Sequence, residues 1–196
     1  MAERKATVTR ETAETSVKVK LNINGSGQFE INTGIEMFDH LLAQLARHGV
    51  FDIKLSASGA DQHHVVEDVA ISLGKAFNQA LGEKQGVTRM AHAVVPMDEA
   101  LAAVVVDIGG RAYSTIEAPF GTINIDDLEA DLIRHFLVSF ASEAKINLHA
   151  RVITGINDHH KAEALFKALG RVLDSATRID ERIVGRIPST KEIIES

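Results

Sequence analysis

From Val17 the chain alternates apolar and polar residues, with Val17, Val19, Leu21 and Ile23 on one side, and Asn24-Gly25-Ser26-Gly27 then marks a turn. Gln28 to Thr33, with Phe29 and Ile31 alternating, reads as the returning strand of a hairpin. The period changes at about Ile35. Phe38, Leu41, Leu42 and Leu45 recur at helical spacing as far as His48, and Gly49 is placed to end that helix. Phe51, Ile53, Leu55 and Ala57 alternate again as a strand; after the Ser58–Asp61 loop, Val69, Leu73, Phe77 and Leu81 predict a helix up to Gly82. The order is strand, strand, helix, strand, helix.

A linker at Lys84 to Thr88 precedes a possible strand at Ala93 to Val95, and strands at Ala100 to Ile108 and Ala112 to Ala118 flank Gly109-Gly110-Arg111. A helix from about Asp126 to Ala144, a strand Ile146 to Ile153, a Thr154–Asn157 turn and a helix through Leu173 repeat the first order. The expected architecture is therefore α+β, with two tandem ββαβα repeats at 1–90 and 91–177 packed as one compact unit. Residues 178–196, polar and carrying Pro188, form a tail that needs a docking surface to be ordered.

The repeat carries chemistry. His63-His64-Val65-Val66-Glu67 and His159-His160-Lys161-Ala162-Glu163 both read HHxxE and stand 96 residues apart. Each has a forerunner histidine, His40 at 23 residues before His63 and His135 at 24 before His159. On a helix, residues four apart share a face while neighbours point about 100° away, so His63 and Glu67 look one way and His64 another. Two matched half-sites thus offer six histidines and two glutamates, enough for two metals with four protein ligands each. Applying the repeat symmetry, one site would be His40, His64, His159 and Glu163, and the other His63, Glu67, His135 and His160. Symmetry alone leaves open whether His40 joins His64 or His63. Three imidazoles and one carboxylate leave coordination positions open, the character of a catalytic site, and suit manganese, iron or zinc.

Composition narrows the chemistry. Hydrophobic content of 45% with 24% charged residues is ordinary for a globular protein. A net charge of -6 and pI near 5.8 speak against a nucleic-acid partner, which would need a basic patch. With no cysteine, any metal must be held by imidazole and carboxylate, and disulfides are impossible. Met1 to Lys5 lead into polar residues rather than an apolar signal core, and no stretch approaches the roughly 20 apolar residues of a membrane span. The expectation is a soluble, cytoplasmic protein with no membrane partner.

Both cassettes in context, Asp61-Gln62-His63-His64-Val65-Val66-Glu67-Asp68 and Gly155 to Ala168, resemble the two signatures of the imidazoleglycerol-phosphate dehydratases. Phe38-Asp39-His40-Leu41-Leu42, Pro96-Met97-Asp98-Glu99-Ala100-Leu101 and Pro188-Ser189-Thr190-Lys191 extend the resemblance over nearly the whole chain. Small departures are Gly109-Gly110-Arg111, where Ser-Gly-Arg is commoner, and Glu192, where glycine is usual.

The resemblance implies a duplicated fold of the ribosomal-protein-S5 domain-2-like kind, with helices packed on sheet. It implies two Mn2+ per active site, and a homo-oligomer of twenty-four subunits with active sites between chains and the tail docking there. The implied reaction is dehydration of imidazole glycerol phosphate to imidazole acetol phosphate in histidine biosynthesis. It pairs His40 with His64, makes Glu14 and His48 acid/base residues with Gln44 beside the substrate, and matches Arg89, Arg111, Lys167, Ser189 and Lys191 to phosphate-binding positions. His92 and His149 have no counterpart in it and read as structural. Two other classes fit the bare ligand count: a two-metal hydrolase of phosphate esters, whose metals lie about 3.5 to 4 Å apart, and a non-enzymatic protein cemented by metal.

Overall fold

Alternation from Thr15 builds β2 (Thr15–Asn22), whose Val17, Val19 and Leu21 are buried while Lys18 and Lys20 face outward. In this computed structural model, which describes residues 3–194, β2 pairs antiparallel with β1 (Lys5–Glu11) on one side and β4 (Asp52–Gly59) on the other. The first two residues of the N-terminal stretch and the last two of the 178–196 tail lie outside the described residues. β3 (Phe29–Asn32) joins β4 in parallel, giving the order β1-β2-β4-β3.

The hairpin expected between β2 and β3 does not form; β1 is the hairpin partner of β2. Asp52 explains the difference. Its carboxylate accepts from the backbone N–H of Ser26 at 2.8 Å and of Gln28 at 3.1 Å, which pulls the turn across to β4 instead of back along β2. Helix α1 (Glu36–Gly49) then makes the crossover that parallel pairing requires. β1 carries a weak apolar signal because it is an edge strand: Lys5, Thr7, Thr9 and Glu11 are exposed, and Ala6 and Val8 are only partly buried.

Helix α2 (Gln62–Leu81) completes the first half. The second half repeats it, with β5 (Met90–Met97), β6 (Ala100–Asp107), β7 (Tyr113–Glu117) and β10 (Asn147–Thr154) in the order β5-β6-β10-β7. Again the last pair alone is parallel. Helix α3 (Asp131–Ala144) starts five residues later than the periodicity suggests, because residues 124–129 form a small hairpin, β8 (Asn124–Ile125) with β9 (Leu128–Glu129). Asp127 at its turn accepts from the N–H groups of Glu36 at 2.7 Å and Met37 at 2.8 Å. It thereby caps α1, whose own cap residue, Ile35, offers no acceptor.

Helix α4 (Asp158–Thr177) packs on the second sheet as α2 packs on the first, and the halves interlock through α1 against α4 and α2 against α3. Phe136 on α3 bridges them, its ring 5.5 Å from Phe38 and 5.3 Å from Phe166. Both crossings use a glycine. A Cβ on Gly170 would lie 2.7 Å from the Leu45 carbonyl oxygen, and one on Gly74 would lie 2.7 Å from that of Phe140, so any side chain would force the helices apart. Gly49 serves the same crossing; the left-handed residue ending α1 is Val50, one position later.

After α4 the chain turns back over the 86–89 loop. Backbone hydrogen bonds run from Thr88 to Arg178, from Asp180 to Gly86 and from Gly86 to Arg186. No helix among the described residues is long and apolar enough to cross a membrane.

Candidate metal centre and phosphate cavity

Each interlocking helix pair carries one cluster. On α1 and α4, His40, His159 and Glu163 bring one ligand atom apiece within 4.8 Å of one another; on α2 and α3, His63, Glu67 and His135 do the same. In the first, the Glu163 Oε2 lies 3.2 Å from His40 Nε2 and 3.4 Å from His159 Nε2. In the second, Glu67 Oε1 lies 3.4 Å from His135 Nε2, and the His63 and His135 rings stack with centroids 4.7 Å apart. Histidine and glutamate four residues apart thus share a face on each cassette helix.

Local sequence sets these helices in place. Asp61 caps α2 by accepting from His64 N–H, and Asn157 caps α4 by accepting from His159 and His160 N–H, so both cassettes begin at a fixed first turn. Burial alone would raise the Glu163 carboxyl, but the Lys167 ammonium, 2.6 Å from Oε1, and His40 hold it below the usual carboxylate range. Asp126 accepts at 2.9 Å from His159 Nδ1, which leaves Nε2 with a lone pair for the cluster.

These clusters fit a divalent cation. Their donors are imidazole and carboxylate only, and His135 Nε2 is buried with no hydrogen-bond partner among the described residues, as a ligand nitrogen awaiting an ion would be.

His64 and His160 stand apart. The sequence grouping places them with these clusters, but within one chain they point elsewhere. His64 Nδ1 meets Asp61 at 2.6 Å, and its Nε2 lies 3.4 Å from Glu14. His160 Nδ1 meets Glu99 at 2.7 Å, and its Nε2 lies 3.8 Å from Asp98. The carboxylate beside each raises the imidazole above its ordinary value, and His160 with the backbone of Asn157 holds Glu99 down at about 2. Glu14 itself sits in the exposed loop between β1 and β2. There Thr12 Oγ1 accepts its N–H at 3.1 Å, and Asp68 of α2 binds both Arg10 and Thr15.

A cavity of about 600 Å³ lies beside the tail, lined by Arg89, Gly109, Arg111, Ser189 and Lys191. Arg89 is the fixed member: its guanidinium grips Asp107 at 2.6 and 3.0 Å and donates to the Pro188 carbonyl at 2.7 Å, pinning the tail. Arg111 and Lys191 are exposed. Lys167 is not in this cavity; it lies beside Glu163, 3.3 Å from Met97 Sδ.

The family model described as imidazoleglycerol-phosphate dehydratase matches residues 33–173, which include both clusters. An imidazoleglycerol-phosphate dehydratase of Dehalococcoides mccartyi is 55% identical over 196 residues, covering all of both chains. One from Methanothermobacter thermautotrophicus is 51% identical and covers 96% of each. The crystal structure of the Pyrococcus furiosus dehydratase in complex with (S)-C348 has a TM-score of 0.83 at 31% identity, covering 95% of this chain and 99% of that one. The chain belongs to the imidazoleglycerol-phosphate dehydratase family. It is a hydro-lyase that dehydrates imidazoleglycerol phosphate, a small phosphate ester, in histidine biosynthesis.

The family resemblance also named Gln44 and His48, and both lie on α1 beyond His40, half-buried. Burial, followed by the nearby Lys167 and Arg171 cations, pushes His48 below its ordinary value, so the fold favours its neutral form. His92 and His149 face outward on the second sheet, both in register with Val105. Residues that sequence reasoning gave no role are the carboxylates orienting the histidines. Asp98-Glu99 stood in a family motif without a function; Asp126, which meets His159, and Asp127, which caps α1, stood inside an expected helix. The signal for the latter was the pair of adjacent acids at the start of that helix, which the structure places at a hairpin tip.

Proposed function

We propose that the chain dehydrates imidazole glycerol phosphate to imidazole acetol phosphate with two Mn2+ bound at sites completed between neighbouring chains of a cytoplasmic twenty-four-subunit homo-oligomer. One observation carries this reading: each chain presents two three-ligand clusters and, pointing away from them, two histidines already oriented by carboxylates. His64 would complete the His40, His159 and Glu163 cluster of another copy, and His160 the His63, Glu67 and His135 cluster.

The hydrogen lost from the substrate carbon has no carbonyl beside it, so the imidazole ring must take up the charge. Two divalent ions would supply Lewis acidity toward that ring. Glu14, beside His64, travels into the shared site with it and is placed to exchange a proton with the substrate. His48, whose neutral form the fold favours, is the second group able to carry one. Arg111, Ser189 and Lys191 bind the phosphate, with Arg89 holding the cavity wall and Lys167 approaching from the metal side. The domain division at 90 and 177 and the tail's role beside the phosphate belong to the same proposal.

Purified protein reconstituted with Mn2+ is expected to convert imidazole glycerol phosphate to the acetol phosphate, detected as the ketone. Absence of that product from a folded, metal-loaded protein would reject the reading.

A further inference from the structure

The two clusters have matched ligands but unmatched surroundings. Glu163 keeps 8% of its side-chain surface exposed, and Lys167, itself 17% exposed, holds its Oε1 at 2.6 Å, leaving Oε2 alone to face His40 and His159. Glu67 is 37% exposed, and the residue one turn after it, 96 positions before Lys167, is Ile71. A lysine therefore neutralises one of two equivalent glutamates and not the other. Because the Lys167–Glu163 pair is largely dry, the lysine's positive charge opposes a bound cation with little screening from water.

Resting on the metal-binding reading above, we propose that Lys167 makes the two metal sites unequal, so that the ion at His63, Glu67 and His135 binds tightly and first, and the ion at His40, His159 and Glu163 binds weakly and second. Lys167 is here a positioning residue that acts through Glu163. It fixes the carboxylate as a one-oxygen ligand and offsets part of its charge.

Other charges do not reverse the order. Asp126 adds negative charge behind His159, but its side chain is 63% exposed and water screens it. The carboxylates behind the two outward histidines come as pairs, Asp61 and Glu14 with His64 and Glu99 and Asp98 with His160, so each site receives a similar contribution.

The test is a Mn2+ titration of chelator-stripped, full-length protein, with free Mn2+ followed by its electron paramagnetic resonance signal. Wild type is expected to show two classes of equal number with dissociation constants about tenfold or more apart. Lys167→Met should tighten the weaker class until the two nearly merge, whereas Lys167→Arg should keep them apart. Ile71→Lys, which gives Glu67 the same neighbour, should weaken the tight class by about tenfold, and it keeps the proposal testable if Lys167→Met does not fold. A single class in wild type, or an isotherm unchanged in both Lys167→Met and Ile71→Lys, would overturn the proposal. No Mn2+ uptake by folded wild type would overturn the metal reading itself.

Discussion

Gly74 and Gly170 stand 96 residues apart, the interval that separates His63 from His159, and each is where its cassette helix touches the backbone of a partner helix. Glu67 and Glu163 each lie seven residues, or about two turns, before the glycine on the same helix. Each close approach therefore sets the distance between the histidine on one helix and the His-Glu pair on the other.

Gly74→Ala and Gly170→Ala should each destabilise the fold by about 1–3 kcal/mol, because the added methyl meets backbone that cannot turn aside. Urea unfolding measures this cost. Each variant should also lose affinity at the cluster its own helix pair carries, Gly74→Ala at the His63 cluster and Gly170→Ala at the His40 cluster. Stability within experimental error of wild type in both would show that the crossings have room to spare.

Glu67→Gln and Glu163→Gln should each remove one metal per chain while leaving the other, since each deletes the sole anionic protein ligand of a different cluster. Metal analysis after gel filtration gives the stoichiometry. Full occupancy in either variant would contradict the grouping.

Arg111→Ala or Lys191→Ala should raise KM with metal content intact, at a cost of about 1.5–3 kcal/mol for a charge-assisted contact. Part of this can appear in kcat, because binding at the remote phosphate orients the reacting end. Arg89→Ala should differ from both. It also frees Asp107 and the Pro188 carbonyl, so the tail should become more open to proteolysis. Unchanged kinetics in the Arg111 and Lys191 variants would remove those residues from the site.

His48 is held below its ordinary value by burial and by the Lys167 and Arg171 cations, so the fold favours its neutral form. The associated stability is present above the unfolded value of about 6.5 and is lost as pH falls through the lower folded value. If His48 carries a proton, the acidic limb of the kcat/KM profile should lie below that unfolded value, and Arg171→Gln should move it upward. A limb in the same place in wild type, Arg171→Gln and His48→Gln would take His48 out of the proton path.

Helices and the candidate ligand clusters were legible in the sequence because their signals are dense. α1, α2 and α4 carry unbroken apolar periodicity, and the HHxxE spacing encodes which histidine faces the glutamate. Strand pairing was less legible. Asn24-Gly25-Ser26-Gly27 has the residues of a tight turn, but Asp52, a single distant side chain, decides which strand the segment joins. The edge strand β1 lacks an apolar run, and the 124–129 hairpin is too short to show a period. The two three-residue clusters were legible, but the placing of His64 and His160 was not, because these turn outward to Asp61 and Glu99.

Sharing of the site between chains is the claim on which the account turns. His64→Ala lacks an outward ligand and Glu163→Gln lacks a cluster ligand, so each should be inactive alone. After stripping the metal, mixing the two variants and reassembling with Mn2+, turnover of imidazole glycerol phosphate should return, because some sites then combine an intact cluster from one chain with an intact His64 from another. No activity from verified mixed assemblies would contradict the shared site.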